Sequence, residues 1–228
     1  MPSQHHLLAL AVALALAPAA RAQDSAPTPT SLDTVIVTGT YVSDRTVAES
    51  QSPIDIITPE ALTATGTTEL ATALARALPS LNFPRPGMAD GTSGVRPAQL
   101  RGLSPDQVLI LVNGKRRHIS ALVNVNGTIG RGSSAVDLNA IPVAAIERVE
   151  VLRDGASAQY GSDAIAGVVN IVLKGSGSGG SIALGGGQYS EGDGKQWQVS
   201  GDAGLTLSQG AGTVHLAAQT GHQDMTNR

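Results

Sequence analysis

Apolar and polar positions alternate along this chain in two rhythms, and the change near residue 175 divides it. The pattern is densest from Ile146 to Lys174. There Ile146, Val149, Val151 and Leu152 are apolar while Glu147, Arg148, Glu150 and Arg153 fall between them, which predicts a strand with one covered and one polar face. Asp154-Gly155 ends it. Ala156 to Ala166 is mostly Ala, Ser and Gly around a single Tyr160, and such small side chains let backbone pass close to backbone. Val168-Val169-Asn170-Ile171-Val172-Leu173 is β-branched and nearly all apolar, the pattern of a strand covered on both faces.

Upstream, Ile54 to Thr58 reads as a short strand. Thr58-Pro59-Glu60 opens a helical turn with a capping residue and Pro at the first helical position. Thr67 or Thr68 is expected to cap a second helix that runs to Leu78, with Leu70, Leu74, Ala77 and Leu78 on one side and Pro79 after it. Asn82 to Pro97 is a Pro- and Gly-rich loop, Ala98 to Gly102 a strand end, and Gln107 to Val112 an apolar strand. Asn113-Gly114 favours a type I′ hairpin, since both residues tolerate the positive φ it needs. The reversal there predicts that loop Asn82–Pro97, turn Ser104–Gln107 and loop Ile119–Arg131 cluster at one end of the domain.

Beyond Lys174, Gly175 to Gly180 reads as a flexible joint. Three alternating strands follow. The clearest places Trp197, Val199, Gly201, Ala203, Leu205 and Leu207 on one side against Gln196, Gln198, Ser200, Asp202 and Thr206. Ile182 and Leu184 mark the strand before it, and Val214, Leu216 and Ala218 the strand after. Long strict alternation fits the wall of a transmembrane barrel, with lipid outside and water or protein inside, and an ordinary half-buried sheet gives a similar pattern. Tyr189 and Trp197 flank one turn, where an interfacial aromatic belt would place them.

The amino-terminal part carries a different signal. Met1 to Ala22 has the apolar run Leu7–Ala17 and the small-residue exit Ala20-Arg21-Ala22, the pattern of a secretory signal. It has no Lys or Arg before the apolar run, so a buried helix is the alternative. Asp24 to Ser31, rich in Pro and Thr, reads as a tether. Leu32 to Gly39, with five β-branched residues in a row at Thr34-Val35-Ile36-Val37-Thr38, then reads as an edge strand on a flexible arm. Such an edge either docks on its own domain or receives a strand from a partner.

Composition narrows the function. Aromatic residues make up 2% of the chain and glycines number 27, which favours turns and pleated strand over large side chains filling a globule. A net charge of −3 and a pI near 5.9 leave no basic footprint for nucleic acid. There is no cysteine, hence no disulfide framework and no thiolate metal site. No catalytic constellation stands out. Gly175 to Gly180 matches G-x-G-x-x-G, but a strand rather than a helix follows, so no helix N-terminus awaits a phosphate. The five histidines have no metal-ligand spacing outside the signal segment. No cofactor and no enzyme activity is expected.

The motifs Arg148-Val149-Glu150-Val151-Leu152-Arg153, Ala156 to Ser162 and Ala164 to Ile171 resemble the signature of the plug domain of TonB-dependent outer-membrane receptors. Ala98 to Gly102 is similar to the family's strand ending in Arg-Gly. One departure is Asp154-Gly155, where many members carry Gly-Pro. The resemblance implies an α+β plug domain, a small mixed β-sheet with short helices, followed by the first antiparallel strands of a truncated transmembrane β-barrel. The divisions are then a signal peptide (1–22), a tether with a TonB box (23–45), the plug (46–175) and three wall strands of an incomplete barrel (176–228), as in the front fragment of a longer receptor.

Further implications follow residue by residue. Leu32, Asp33, Thr34, Val35, Ile36, Val37 and Thr38 are similar to the TonB box that pairs with TonB, the partner driven by an inner-membrane energising complex. Arg101 and Arg153 match arginines that hold plug to barrel through glutamates of the wall; solvated strand-end arginines are the alternative. Apical loops of the family face the ligand, which makes Arg85, Arg96, Ser104, Asn124, Asn126 and Arg131 candidate contacts for a small molecule such as an anionic ferric chelate. The implied location is the outer membrane of a Gram-negative bacterium, with the plug and TonB box reachable from the periplasm. The rival reading is a stand-alone periplasmic binding or signalling module.

Overall fold

The computed structural model describes residues 38–39, 46–50, 52–67, 69–84, 95–125, 130–175, 179–207 and 212–225. The signal, the tether and most of the expected TonB box, Leu32 to Val37, lie outside the described residues, as do Arg85 and Asn126.

A five-stranded mixed sheet forms the centre. It contains β1 (Ile54–Ile57), β4 (Val108–Val112), β5 (Lys115–Arg116), β6 (Ile146–Leu152) and β7 (Gly167–Leu173), in the order β1-β6-β7-β4-β5. β6 and β7 are antiparallel neighbours, with Val149 opposite Ile171 and Val151 opposite Val169. A register shift between Ile146 and Arg148 bends the start of β6. β4 lies parallel to β7, and all other pairs in this sheet are antiparallel. A two-stranded ribbon, β2 (Leu81–Asn82) with β3 (Gln99–Leu100), stands beside it.

The β4–β5 reversal is the hairpin expected at Asn113-Gly114. Val112 pairs with Lys115 across a two-residue loop, and both loop residues have positive φ, 49° and 75°, as a type I′ turn requires. Asn113 also fastens the turn to β7: its N–H donates to the Ile171 carbonyl at 2.9 Å, and its side-chain oxygen accepts from Leu173 N at 2.8 Å.

Both faces of the sheet are covered. Val108, Ile110, Val149, Val151, Val169 and Ile171 pack on one face against helices α1 (Pro59–Thr63) and α2 (Leu70–Ala77) through Leu62, Leu70 and Leu74. Ile54, Leu109, Leu111, Leu152 and Val168 form a smaller cluster on the other, with Ala156 and Ala164. Among the described residues the core is aliphatic, and Phe83 is its only buried aromatic. Thr58 caps α1 by accepting from Ala61 N, and Pro59 takes the first helical position. The cap expected at Thr67 or Thr68 is corrected: Glu69 is the N-cap residue of α2, because the Thr67 hydroxyl accepts from Glu69 N instead of from the helix.

A second correction concerns β6. Its expected polar face is solvated at Glu147 and Arg153 but not at Glu150, which is fully buried opposite Asn170. A carboxylate is seldom buried without partners.

β8 (Gly179–Gly187), β9 (Gln196–Thr206) and β10 (Thr213–Gln223) make a separate antiparallel meander in the order β10-β9-β8. Its apolar side chains point away from the central sheet: Ile182 is 82% exposed and Leu216 61%. Gln198, Ser200 and Gln219 face the other way, toward Pro59, Thr63, Val143 and Ile146. The alternation therefore has the sense of a wall with a greasy outside and a polar, protein-covered inside.

Candidate functional site

Thr38 and Gly39, the described residues of the arm, lie on the smaller-cluster face, and Thr38 is fully buried. The Thr38 hydroxyl donates to Glu150 Oε2 at 2.5 Å, and the Gly39 N–H donates to the Tyr160 hydroxyl oxygen at 2.9 Å. Gly39 has φ +74° and sits against Leu152 and Ile54, a backbone conformation that favours glycine. Thr38 thus belongs to the domain's interior rather than to an exposed leash. No local sequence signal pointed to this, because the contact spans 112 positions.

Glu150 gathers further partners. Arg148 Nε lies 2.9 Å from Oε1, and Asn170 Nδ2 donates to Oε2 at 3.5 Å. Asn170 in turn accepts from Gly114 N at 3.0 Å. A carboxylate held by a guanidinium, a hydroxyl and an amide has its charge compensated in place.

A second polar joint fixes helix α3 (Ser157–Tyr160) and the turn that follows it. Arg116 on β5 pairs with Asp163 and donates to the Tyr160 carbonyl. Burial pushes the Asp163 carboxyl up, but hydrogen bonds from Arg116, its own backbone and Ser162, with the Arg116 charge, outweigh it and hold it below the usual aspartate range. A carboxyl depressed in the folded state contributes stability above its unfolded pKa and loses it as pH falls through the folded value. The thermal midpoint of the unsubstituted protein should therefore exceed that of Asp163→Asn at neutral pH, with the gap closing on acidification; a gap independent of pH would contradict this.

The structure redistributes the other expected site residues. Arg153 Nε lies 2.5 Å from Asp55 on β1, and Arg101, with φ +58°, reaches Asp154 at 4.0 Å. Both arginines remain about half exposed. Ser104 donates to Asp106 and lies beside Gly130 and Ser133. Asn124 is buried, its backbone bonded to Ser133 and Gly132 at 2.9 and 2.7 Å. Turn Ser104–Gln107 and the end of the Ile119–Arg131 loop thus meet as expected. Arg96 instead pairs with Glu69 at 2.6 Å, beside Asn139.

Two contacts between the central domain and the β8–β10 meander had no sequence signal. Lys174, just after β7, donates to Asp202 on β9 at 2.8 Å; Ser181 on β8 also donates to Asp202, and His215 Nε2 on β10 lies 3.1 Å from its carboxylate. Gln219 on β10 accepts from Val143 N at 3.3 Å. These residues read as ordinary members of alternating strands until the meander is laid against the plug.

Comparison with known proteins now defines the class. Residues 46–168, more than half of the chain, match the model of the TonB-dependent Receptor Plug Domain, and the chain belongs to the TonB-dependent receptor family. It is 34% identical over 178 residues to the ferrienterobactin receptor of Escherichia coli K12, covering 76% of this chain and 23% of that protein. It is also 34% identical over 157 residues to the vitamin B12 transporter BtuB of Vibrio vulnificus, covering 68% and 23%. The crystal structure of the siderophore receptor PirA from Acinetobacter baumannii superposes with a TM-score of 0.56 at 25% identity, over 78% of this chain and 25% of that one. The chain thus spans about a quarter of the length of the curated relatives it matches. These relatives are receptors and transporters rather than enzymes.

Proposed function

We propose that this chain supplies the plug and first wall strands of an outer-membrane receptor that takes up a scarce ligand by energy coupling through TonB. The observation that carries this reading is the family match over the plug, and the exposed apolar face of β8–β10 supports the outer-membrane location. That face also argues against a stand-alone periplasmic module, since so large an apolar surface calls for lipid or a partner. Leu32 to Val37, ahead of the buried Thr38, are proposed to supply the strand that TonB pairs with from the periplasm.

A ferric siderophore is the ligand class that most of the named relatives suggest. The vitamin B12 transporter matches at the same identity, so the plug alone carries the mode of uptake further than the choice of cargo. Ser104 and Arg131, with Arg85 and Asn126 on the neighbouring loops, are the proposed contacts. Arg96 and Asn124 support them from within, the first through Glu69 and the second from its buried position. Arg101 and Arg153 are proposed to reach acidic groups of the wall with their exposed halves, while Lys174 and Asp202 tie plug to wall from the other side.

Replacing Val35 with Pro tests the coupling, because proline removes a backbone donor and blocks strand pairing. In cells expressing the whole gene, uptake of labelled ferric siderophore should fall to background while surface binding stays unchanged. Uptake at the unsubstituted rate would defeat the assignment of the TonB-pairing strand.

A further inference from the structure

Two described dipeptides of related chemistry are held in opposite ways. Asn113-Gly114 and Asp154-Gly155 each set a side-chain carbonyl carbon just ahead of a glycine amide. A succinimide ring closes from such a pair, because glycine has no side chain to obstruct the attack. At Asn113-Gly114 the reacting groups are held apart. The Asn113 side-chain oxygen accepts from Leu173 N at 2.8 Å, while the Gly114 N–H donates to Asn170 Oδ1 at 3.0 Å.

At Asp154-Gly155 they are held together. The Gly155 N–H donates to Asp154 Oδ1 at 2.8 Å, and the dipeptide stands between the end of β6 at Leu152 and the start of α3 at Ser157, outside both elements. The Asp154 side chain is 62% exposed, so water reaches it. Its other partner, Arg101 Nη1 at 4.0 Å, is itself about half exposed, and such a surface pair restrains little.

We propose that Asp154 is a site of spontaneous isoaspartate formation, and that the fold directs this chemistry to Asp154 and away from Asn113. Gly155 N attacks Asp154 Cγ. The new C–N bond forms as the side-chain hydroxyl leaves, and that hydroxyl departs with the amide proton as one water. Water then opens the ring. Addition at Cγ restores aspartate; addition at the Asp154 backbone carbonyl carbon breaks the original peptide bond and leaves the chain running through Cβ and Cγ. No oxidant, reductant or cofactor takes part.

The product alters a fixed stretch of backbone. Arg153 N donates to the Pro53 carbonyl at 3.1 Å and Ala156 N to the Ala164 carbonyl at 2.9 Å, and isoaspartate inserts one carbon into the main chain between those two anchors. Even a methyl group on Gly155 would lie 3.2 Å from the Ile165 carbonyl oxygen. The added length therefore has room on the solvent side only, and it loosens the link between β6 and α3.

The test uses the protein expressed from its whole gene and purified in detergent, incubated at neutral pH either folded or in urea. Trypsin cuts after Arg153, and isoaspartate in the peptide from Asp154 to Lys174 is read by isoaspartyl methyltransferase labelling. Asn113 is followed by the mass gained when its amide becomes an acid. Folding should leave the rate at Asp154 within about twofold of its rate in urea and slow Asn113 about tenfold or more, because Asn113 reacts only through local opening. Asp154→Glu, which lacks the geometry for a five-membered ring, should abolish the labelling and so separate Asp154 from Asp163 in the same peptide. Asp154 slowed as strongly as Asn113, Asn113 unslowed, or labelling that survives Asp154→Glu each overturns the proposal. No ligand or TonB enters the readout, so its failure leaves the uptake reading untouched.

Discussion

Gly167→Ala is expected to prevent the plug sheet from forming as it stands. Gly167 opens β7 with φ +142°, and a methyl group there would lie 2.3 Å from the Leu152 carbonyl oxygen and 2.6 Å from a Leu100 methyl. The obstacle is backbone of the neighbouring central strand, which cannot swing aside as a flexible side chain would. Overpacking and a disfavoured φ together cost about 3 kcal/mol or more, a large share of the roughly 5–15 kcal/mol by which a domain is stable. Gly114→Ala is the control, since nothing lies within 4 Å of the added methyl and its φ of +75° is the sole burden. Limited proteolysis and urea unfolding should show Gly167→Ala far more labile than Gly114→Ala; equal resistance would mean that β6 and β7 do not approach as described.

Glu150→Ala should have the next largest effect. It strips partners from Arg148, Thr38 and Asn170 at once, in a place where water does not replace them. Breaking a buried pair from one side costs about 3–5 kcal/mol. The lower end applies because Arg148 keeps Glu147 at 2.8 Å. Glu150→Gln keeps the shape and one acceptor, and should lose less. Urea titration of the three proteins checks the order; an alanine variant as stable as the parent would show that the carboxylate is not needed where it lies.

Much of the plug was legible because it depends on neighbours in sequence. The hairpin at Asn113-Gly114, the cap at Thr58 with Pro59 behind it, and the adjacent strands β6 and β7 follow from φ preferences and periodicity within a few residues. Alternation in β8–β10 carried the wall strands and their two faces in the same way. The illegible part is long-range and polar. Glu150 occupies a polar position of an alternating strand, and only its contact with Thr38, 112 residues away, makes it a core residue. Arg96 sits in a loop by pattern, yet Glu69 turns it toward α2. Lys174 and Asp202 become partners only once the meander lies beside the plug. Periodicity assigns a side chain to a face and leaves open what stands opposite.

The pairing order of the central sheet has a consequence for how the protein is made. β1 pairs with β6, β4 pairs with β7, and only β4 and β5 are neighbours both in space and along the chain before residue 146. A chain threaded amino-terminus first through a secretory pore would have released more than a hundred residues before its first sheet strand could find its lasting neighbour. Non-local pairing of this kind is slow. The central sheet therefore closes only once the segment through Leu173 is available to β1 and β4.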